Sequence, residues 1–525
     1  VEERLSRAWS LALTHPRLWA LACGVLAAGG FPPLRLWPLA LLGIAGFAAL
    51  IVAACDWKHA ARLGWLFGVA HFTFANNWIA DAFTHQSEMP AFLGWIAVPL
   101  LSLYLAVYPA IAAGLARALA GPRPLALAFA FGGSWAFAEW LRSWVFTGYA
   151  WDPLGLVVLG AWDRQGLAAL LPWLGTYALS GLVALIGAGI AVLLAKRAWL
   201  RAAAVLGLVG VAMILPGPAA QPGGLRVTLI QPGFQQRDLD DPAQYEDQFQ
   251  ALSALTGPRR DAGKRLVLWP ESGLPDYLRP GYPKRYYLAT TAGGDPGFAR
   301  ERIAQAIGKG SLLLTGAVDL KVEGGRAVGA YNAITALDDE GEFAGSYYKA
   351  HLVPYGEYLA LRWLLEPLGA TRLVAGTIDF IPGPGPRTID LGAYGRAGMQ
   401  ICYEIVFAGQ VVDRSNRPDY IFNPSNDGWF GAFGPPQHLA QARMRAIEEG
   451  LPVLRATVNG ISAVIDARGI VRGHLPTSFK GGRIDAAVPP ALAPTPFALF
   501  GNPLSLGWAG LMIALSLLVR RRLGG

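Results

Sequence analysis

Apolar residues follow two different rhythms along this chain. They form long runs near 17–31, 36–54, 63–82, 91–114, 125–146, 170–194 and 202–216, and again at 503–519. A helix needs about 20 apolar residues to cross a bilayer. The pattern therefore predicts eight membrane spans, with the first and seventh short. Between residues 223 and 492 the runs shrink to strand length. RVTLIQ, RLVLWP, SLLLTGAV, AYNAITAL, RAGMQICY, DYIFNP and PVLRATV read as mostly buried strands. QYEDQFQALSALT, ARERIAQAIG and PQHLAQARMRAIEEG carry helical periodicity. Strands alternating with helices imply α/β layers. The Gly217–Gly224 stretch, GPAAQPGG, reads as a linker. The expected organisation is thus a membrane region over 1–222, a globular domain over 223–492, and a final span with its tail over 493–525. The fold class is α/β plus membrane α.

Charge gives the spans a direction. Arg4, Arg7 and Arg17, then Lys58 and Arg62, Arg117 and Arg123, and Lys196, Arg197 and Arg201 fall in alternate connectors, joined by Arg520, Arg521 and Arg522. The other connectors are poor in Lys and Arg, and one of them carries Asp81, His85 and Glu88. The positive-inside rule then puts both termini in the cytoplasm and the globular domain outside it. The first run, behind its arginines, also fits a signal peptide; the further runs favour a first span.

Composition agrees with this division: 53% of the 525 residues are hydrophobic and only 15% charged. The formal charge of +8 gathers at the ends of apolar runs, with no Lys/Arg tract interleaved with aromatics, so no nucleic acid partner is implied. The few His are scattered and form no HExxH or similar pair, so no metal is implied, and nothing points to a cofactor. Glu139 and Arg142 lie three apart on one helical face near the outer end of the fifth run. They can pair there or act on a lipid headgroup. Asn76, Asn77 and Trp78, and the Pro-rich FPPLRLWP turn, fit either a lipid entry or helix-to-helix hydrogen bonding.

Cys402 carries the candidate chemistry. The other cysteines, Cys23 and Cys55, lie in or beside apolar runs, so Cys402 has no partner for a disulfide within its own domain. MQIC reads as a strand end and EIVFAGQVVD as the start of a helix, whose N-terminal amides would favour a thiolate. A buried inert thiol is the plain alternative. His351 and His438 are the possible imidazole bases, neither in a papain-like context. Glu271 at the end of RLVLWPE, and Lys349 and Glu357 in SYYKAHLVPYGEY, offer acids and a lysine at strand ends. A carboxylate desolvated by apolar neighbours can take a thiol proton, and a lysine can steady an oxyanion.

WPE, YKAHLVPYGE and CYE, in that order, resemble the nitrilase superfamily over roughly residues 225–485. GFPPLRLWPLA, EWLRSWVFTGYAW, NPSNDGWFG, QHLAQARMRAIE, LRATVNGISAVID and TPFALFGNP extend the resemblance, over the whole chain, to the apolipoprotein N-acyltransferases of Gram-negative bacteria. The resemblance implies an extracytoplasmic αββα sandwich on the periplasmic side of a multi-pass inner-membrane protein. It also implies a Glu271–Lys349–Cys402 triad. The implied reaction, the last step of lipoprotein maturation, moves an acyl chain from a phospholipid donor to the amine of a diacylglyceryl-cysteine apolipoprotein through a thioester on Cys402. Glu357 would position Lys349 or serve as a second acid. Tyr403 and Glu404 would shape the pocket and support the triad, or simply pack behind the turn. The Trp that family members often carry before WPE is absent from QPGFQQRDLDDPAQY, and Arg279–Phe298 is longer than usual, as a flap or a tolerated insertion. Trp363, Leu364 and Leu365, within Ala360–Gly376, suggest an arm dipping into the bilayer interface, or packing onto the domain itself. Two rival readings are a membrane-tethered amidase or nitrilase acting on a small soluble substrate, and a non-catalytic membrane scaffold or transporter.

Overall fold

The structure is a computed structural model that describes residues 14–85, 90–221, 223–257, 263–368 and 378–522, without the side chains of Leu365 and Leu368. The chain forms two compact units: 1–80 with 92–217 and 494–525, and 81–91 with 218–493.

The first unit is helical. Its main helices are α1 (Pro16–Ala28), α2 (Trp37–Ala53), α3 (Trp57–Ala75), α4 (Leu93–Leu105), α5 (Val107–Ala120), α6 (Pro124–Arg142), α7 (Leu171–Ala195), α8 (Trp199–Ile214) and, from the chain's far end, Asn502–Arg522. Each apolar run predicted above contains a helix, though boundaries differ. The third run begins earlier, where the Asp56 carboxylate accepts from His59 N at 2.7 Å and caps α3. The fourth becomes α4 and α5 joined at Ala106, and continues to Ala120. Among the described residues, three stretches are long and apolar enough to cross a membrane: Leu93–Ala120, Leu167–Ala195 and Asn502–Arg522.

Small residues let these helices approach closely. A Cβ on Gly43 of α2 would lie 2.7 Å from the carbonyl oxygen of Cys23 on α1, and one on Gly133 of α6 would lie 2.6 Å from that of Ala509. Glu139 and Arg142 are buried and paired at 3.6 Å. Arg142 also donates to the Trp151 carbonyl at 2.7 Å, and Glu139 accepts from Leu154 N at 2.9 Å. The pair thus ties the segment after α6 back onto that helix. Asn76 Oδ1 accepts from Tyr149 OH at 2.6 Å, a bond between helix-linking segments.

The second unit is built on two mixed sheets of six strands each. The first contains β1 (Arg226–Gln231), β2 (Arg265–Leu268), β3 (Ser311–Glu323), β4 (Arg326–Leu337), β5 (Phe343–Tyr348) and β12 (Gly482–Ala487), in the order β12-β1-β2-β3-β4-β5. The second contains β6 (Thr388–Asp390), β7 (Arg396–Met399), β8 (Tyr420–Ser425), β9 (Val453–Thr457), β10 (Ser462–Ile465) and β11 (Val471–Leu475), in the order β11-β10-β9-β8-β7-β6. Val227, Leu229 and Leu268 from one sheet share a core with Met399, Phe422 and Leu454 from the other. Burying strands on both faces explains their nearly continuous apolar runs.

Helices cover the outer faces. Phe249 and Leu252 of α9 (Tyr245–Thr256) and Ile303 and Ile307 of α10 (Pro296–Ile307) pack on Val267 and Leu313. The start of α10 follows from sequence: Asp295 accepts from Gly297 N at 2.8 Å and Pro296 opens the first turn. In the second layer, α11 (Gly434–Glu449) packs against β9 and the turn at Cys402.

One local expectation is met only in part. The helix expected after Cys402 is a short 3-10 helix, Cys402–Val406, and no α-helix continues it. The β-branched Ile405, Val406, Val411 and Val412, with Gly409 at φ 74°, disfavour continuation as a helix.

Candidate functional site

Strand ends deliver the residues of the site. Glu271 stands just past β2, Lys349 directly after β5, and Cys402 just past β7. Glu271 can lie where it does because β3 carries Gly316 beside it. A Cβ there would sit 2.6 Å from the Glu271 Cα and 2.8 Å from the Pro270 carbonyl oxygen.

The sequence-predicted residues converge. The Lys349 ammonium lies 3.4 Å from Glu271 and 3.0 Å from Glu357. Asn332 of β4 donates to Glu271 Oε1 and to Glu357 Oε1, each at 2.8 Å. The second oxygen of Glu271 accepts from Asn426 N at 2.9 Å, and that of Glu357 accepts from Val353 N at 2.8 Å. Burial alone would pull the Lys349 pKa down, but Glu357 and Glu271 outweigh it and hold it above the ordinary lysine range. The ammonium therefore stays charged.

Cys402 is 4% exposed, with its backbone at φ 48°. Burial, reinforced by the charge of Glu271, raises its thiol pKa, while Lys349 and a hydrogen bond with Ser425 oppose the rise. The thiolate expected from a following helix is thus replaced by a neutral buried thiol. A thiol in this state must hand over its proton as it attacks.

Glu404 links the nucleophile to the lysine strand. Its Oε2 accepts from Ile401 N at 2.8 Å, and its Oε1 accepts from Tyr347 OH and Ala350 N at 2.7 Å each and from His351 N at 3.1 Å. Burial pushes its pKa up to about 7 against the pull of these donors. Glu404→Gln would turn an NH2 toward backbone donors, with an expected stability cost of about 1–3 kcal/mol. Because the same bonds seat both Lys349 and Cys402, turnover should fall further than thermal stability alone explains. Parallel melting and transfer measurements check this.

Tyr403 is buried with its ring edge on Phe407, 5.1 Å between centroids, and His351 stacks on the same Phe407 at 4.2 Å. His438, the other imidazole candidate, has both nitrogens engaged. Nε2 lies 3.0 Å from the Cys402 carbonyl oxygen, and Nδ1 lies 3.0 Å from both Asp427 and Arg455. Trp363 is 76% exposed and Leu364 is exposed beside it, in the short Arg362–Leu365 helix. The Leu365 side chain and residues 369–377 of the suggested arm lie outside the described residues. Glu139 and Arg142 belong to the helical unit.

Asn332 and Asn426 escaped the sequence reading. An amide amid the apolar AYNAITAL was the available signal, since a buried polar group needs partners. In the QPGFQQRDLDDPAQY segment, Gln236 is buried and accepts from the Asn426 side chain at 2.8 Å. Among the described residues, no cluster of three His, Cys, Asp or Glu is arranged to hold a metal ion.

Comparison with known proteins agrees with both units. Residues 23–189 match the apolipoprotein N-acyltransferase N-terminal domain, and residues 226–493 match the carbon-nitrogen hydrolase family. An apolipoprotein N-acyltransferase of Rhodopseudomonas palustris is 32% identical, over 96% of this chain and 95% of that one. One from Bradyrhizobium diazoefficiens is 34% identical, over 99% of this chain and 96% of its own length. An amidase structure from Nesterenkonia sp. covers 52% of this chain and 93% of that one, at 18% identity and a TM-score of 0.34.

Proposed function

Because the chain belongs to the apolipoprotein N-acyltransferase family and N-acylates lipoproteins, we propose that Glu271, Lys349 and Cys402 carry the transfer. The observation that bears this reading is the buried Lys349 held between Glu271 and Glu357, with the turn at Cys402 tied to the end of the Lys349 strand through Glu404.

In the first half, Cys402 Sγ attacks the ester carbonyl carbon of a phospholipid and its proton passes to Glu271. The oxyanion that forms is met by the Lys349 ammonium, already desolvated and fixed. The intermediate collapses as the C–O bond breaks. Glu271 returns the proton to the departing lysophospholipid oxygen, leaving a thioester. In the second half, the α-amine of a diacylglyceryl-cysteine attacks that thioester, Glu271 takes the amine proton and passes it to Cys402 Sγ as the C–S bond breaks, which leaves the amide and restores the thiol. Splitting the transfer lets two bulky lipids use one site in turn. Glu357 keeps Lys349 charged and in place, while Tyr403 and Glu404 support the turn carrying the sulfur.

The wider setting is part of the same proposal. The helices α1 to α8, with α4 and α5 counted as one bent span, and Asn502–Arg522 would make eight crossings. The Lys and Arg distribution favours cytoplasmic termini and a periplasmic catalytic domain over 223–492, flanked by membrane regions 1–222 and 493–525. Trp363, Leu364 and Leu365 would meet the interface. A small-substrate amidase is not favoured, because it leaves the match over residues 23–189 without a purpose.

The test is to incubate the purified full chain with phospholipid and weigh it. The expected result is a hydroxylamine-labile long-chain acyl group on Cys402. An unmodified Cys402 in a preparation that still N-acylates lipoprotein would overturn the thioester route.

A further inference from the structure

Cys402 holds an uncommon backbone conformation. A φ of 48° on a residue with a side chain persists only where the surroundings enforce it. The carbonyl oxygen of Cys402 is gripped from behind. It lies 3.0 Å from His438 Nε2 and 3.4 Å from Asn423 Nδ2.

These grips converge on a single anchor. Ser425 donates to Asp427 Oδ1 at 2.8 Å, and His438 Nδ1 lies 3.0 Å from the same oxygen. Arg455 donates to both Asp427 oxygens, at 2.7 and 2.8 Å, and also binds the Asn423 amide oxygen. His438, Asn423, Ser425 and Arg455 are fully buried, and Asp427 nearly so. Burial would raise the Asp427 carboxyl pKa, but Arg455 and His438 outweigh it and hold it well below the usual carboxylate range. The anchor is therefore a fixed ion pair. A carbonyl oxygen can only accept, so His438 Nε2 must carry the proton that faces Cys402.

We propose that His438 is a positioning residue for the nucleophile: its Nε2–H holds the Cys402 carbonyl, and so keeps the turn in the left-handed conformation that presents the sulfur. This rests on the reading of Cys402 as the acyl carrier. His438 does not act as the base. Its protonated nitrogen is spent on a carbonyl and its other nitrogen on the Asp427–Arg455 pair. It works through Cys402, while Glu271 moves the proton.

The experiment measures the rate of acyl-thioester formation on Cys402 in the full chain, by intact mass, across a range of phospholipid concentrations. His438→Leu, which removes the donor, should slow acylation at saturating lipid by about 10- to 100-fold. The half-saturating lipid concentration should change by no more than about twofold, since a positioning residue touches no substrate. His438→Gln, whose amide N–H can reach the same carbonyl, should recover most of the rate. His438→Asn, too short to reach, should not. Wild-type rates in His438→Leu would overturn the proposal, and so would equal losses in the Gln and Leu variants, which would mean packing alone matters. Should the Leu variant fail to fold, Gln against Asn decides: Gln no faster than Asn overturns it. Absence of a thioester on the wild-type protein would instead strike the nucleophile reading, and is thereby told apart.

Discussion

Cys402→Ala should lower acyl transfer by about 10,000-fold or more, with no acyl mass appearing on the protein. The sulfur is the only group in the proposed route that bonds to the acyl chain, so no neighbour can substitute for it. Glu271 accepts from Asn332, Lys349 and Asn426 at once, which places it to move a proton. The fold should survive, because Ala keeps the Cβ and loses a single buried atom. Labelled phospholipid and an acceptor lipopeptide give the measurement, read alongside a melting curve. More than a tenth of wild-type transfer by this variant would end the thioester mechanism.

Lys349→Met should be almost as damaging to transfer, for a different reason, and it should also weaken the fold. Removing the cation leaves Glu271 and Glu357 buried together, sharing the Asn332 amide but without a positive charge from Lys349. Breaking a buried ion pair by deleting one partner costs about 3–5 kcal/mol. Loss of the oxyanion partner should cost about 1,000-fold in rate. A second substitution separates the two effects. Adding Glu357→Gln to Lys349→Met removes one orphaned charge and should recover part of the stability, but none of the transfer. Recovery of transfer in the double variant would show that Lys349 serves only to neutralise its neighbours.

Much of this site was legible before any coordinates. Glu271, Lys349 and Cys402 each stand just past a strand, and WPE, YKAHLVPYGE and CYE, the phrases that carry the resemblance, hold these three and Glu357. What sequence could not supply was the wiring. Asn332 bridges two carboxylates, and while AYNAITAL signals a buried amide in need of partners, it does not say which groups those are. Asp427, His438 and Arg455 fall within one stretch of the chain but on different elements, and they meet through the sheet pairing of β8 with β9 and the packing of α11. The strands that went unpredicted, such as β11 and β12, are short and partly exposed, so their polar residues blur the alternation. The helix expected after Cys402 stays a short 3-10 helix, because the β-branched residues and Gly409 disfavour an α-helix despite the hydrophobic spacing.

The segment 81–91 groups with 218–493 although the chain places it more than a hundred residues earlier. Within that unit His85 meets Trp429 edge-on at 6.1 Å, and Gly431 has no room for a side chain beside Asp81. The gene therefore cannot be cut once, before residue 218, to yield the complete nitrilase-like module. A chimaera that grafts this module onto another membrane scaffold must carry the early segment with it, or leave the flank of Trp429 bare. The two units are interleaved along the chain and not joined end to end.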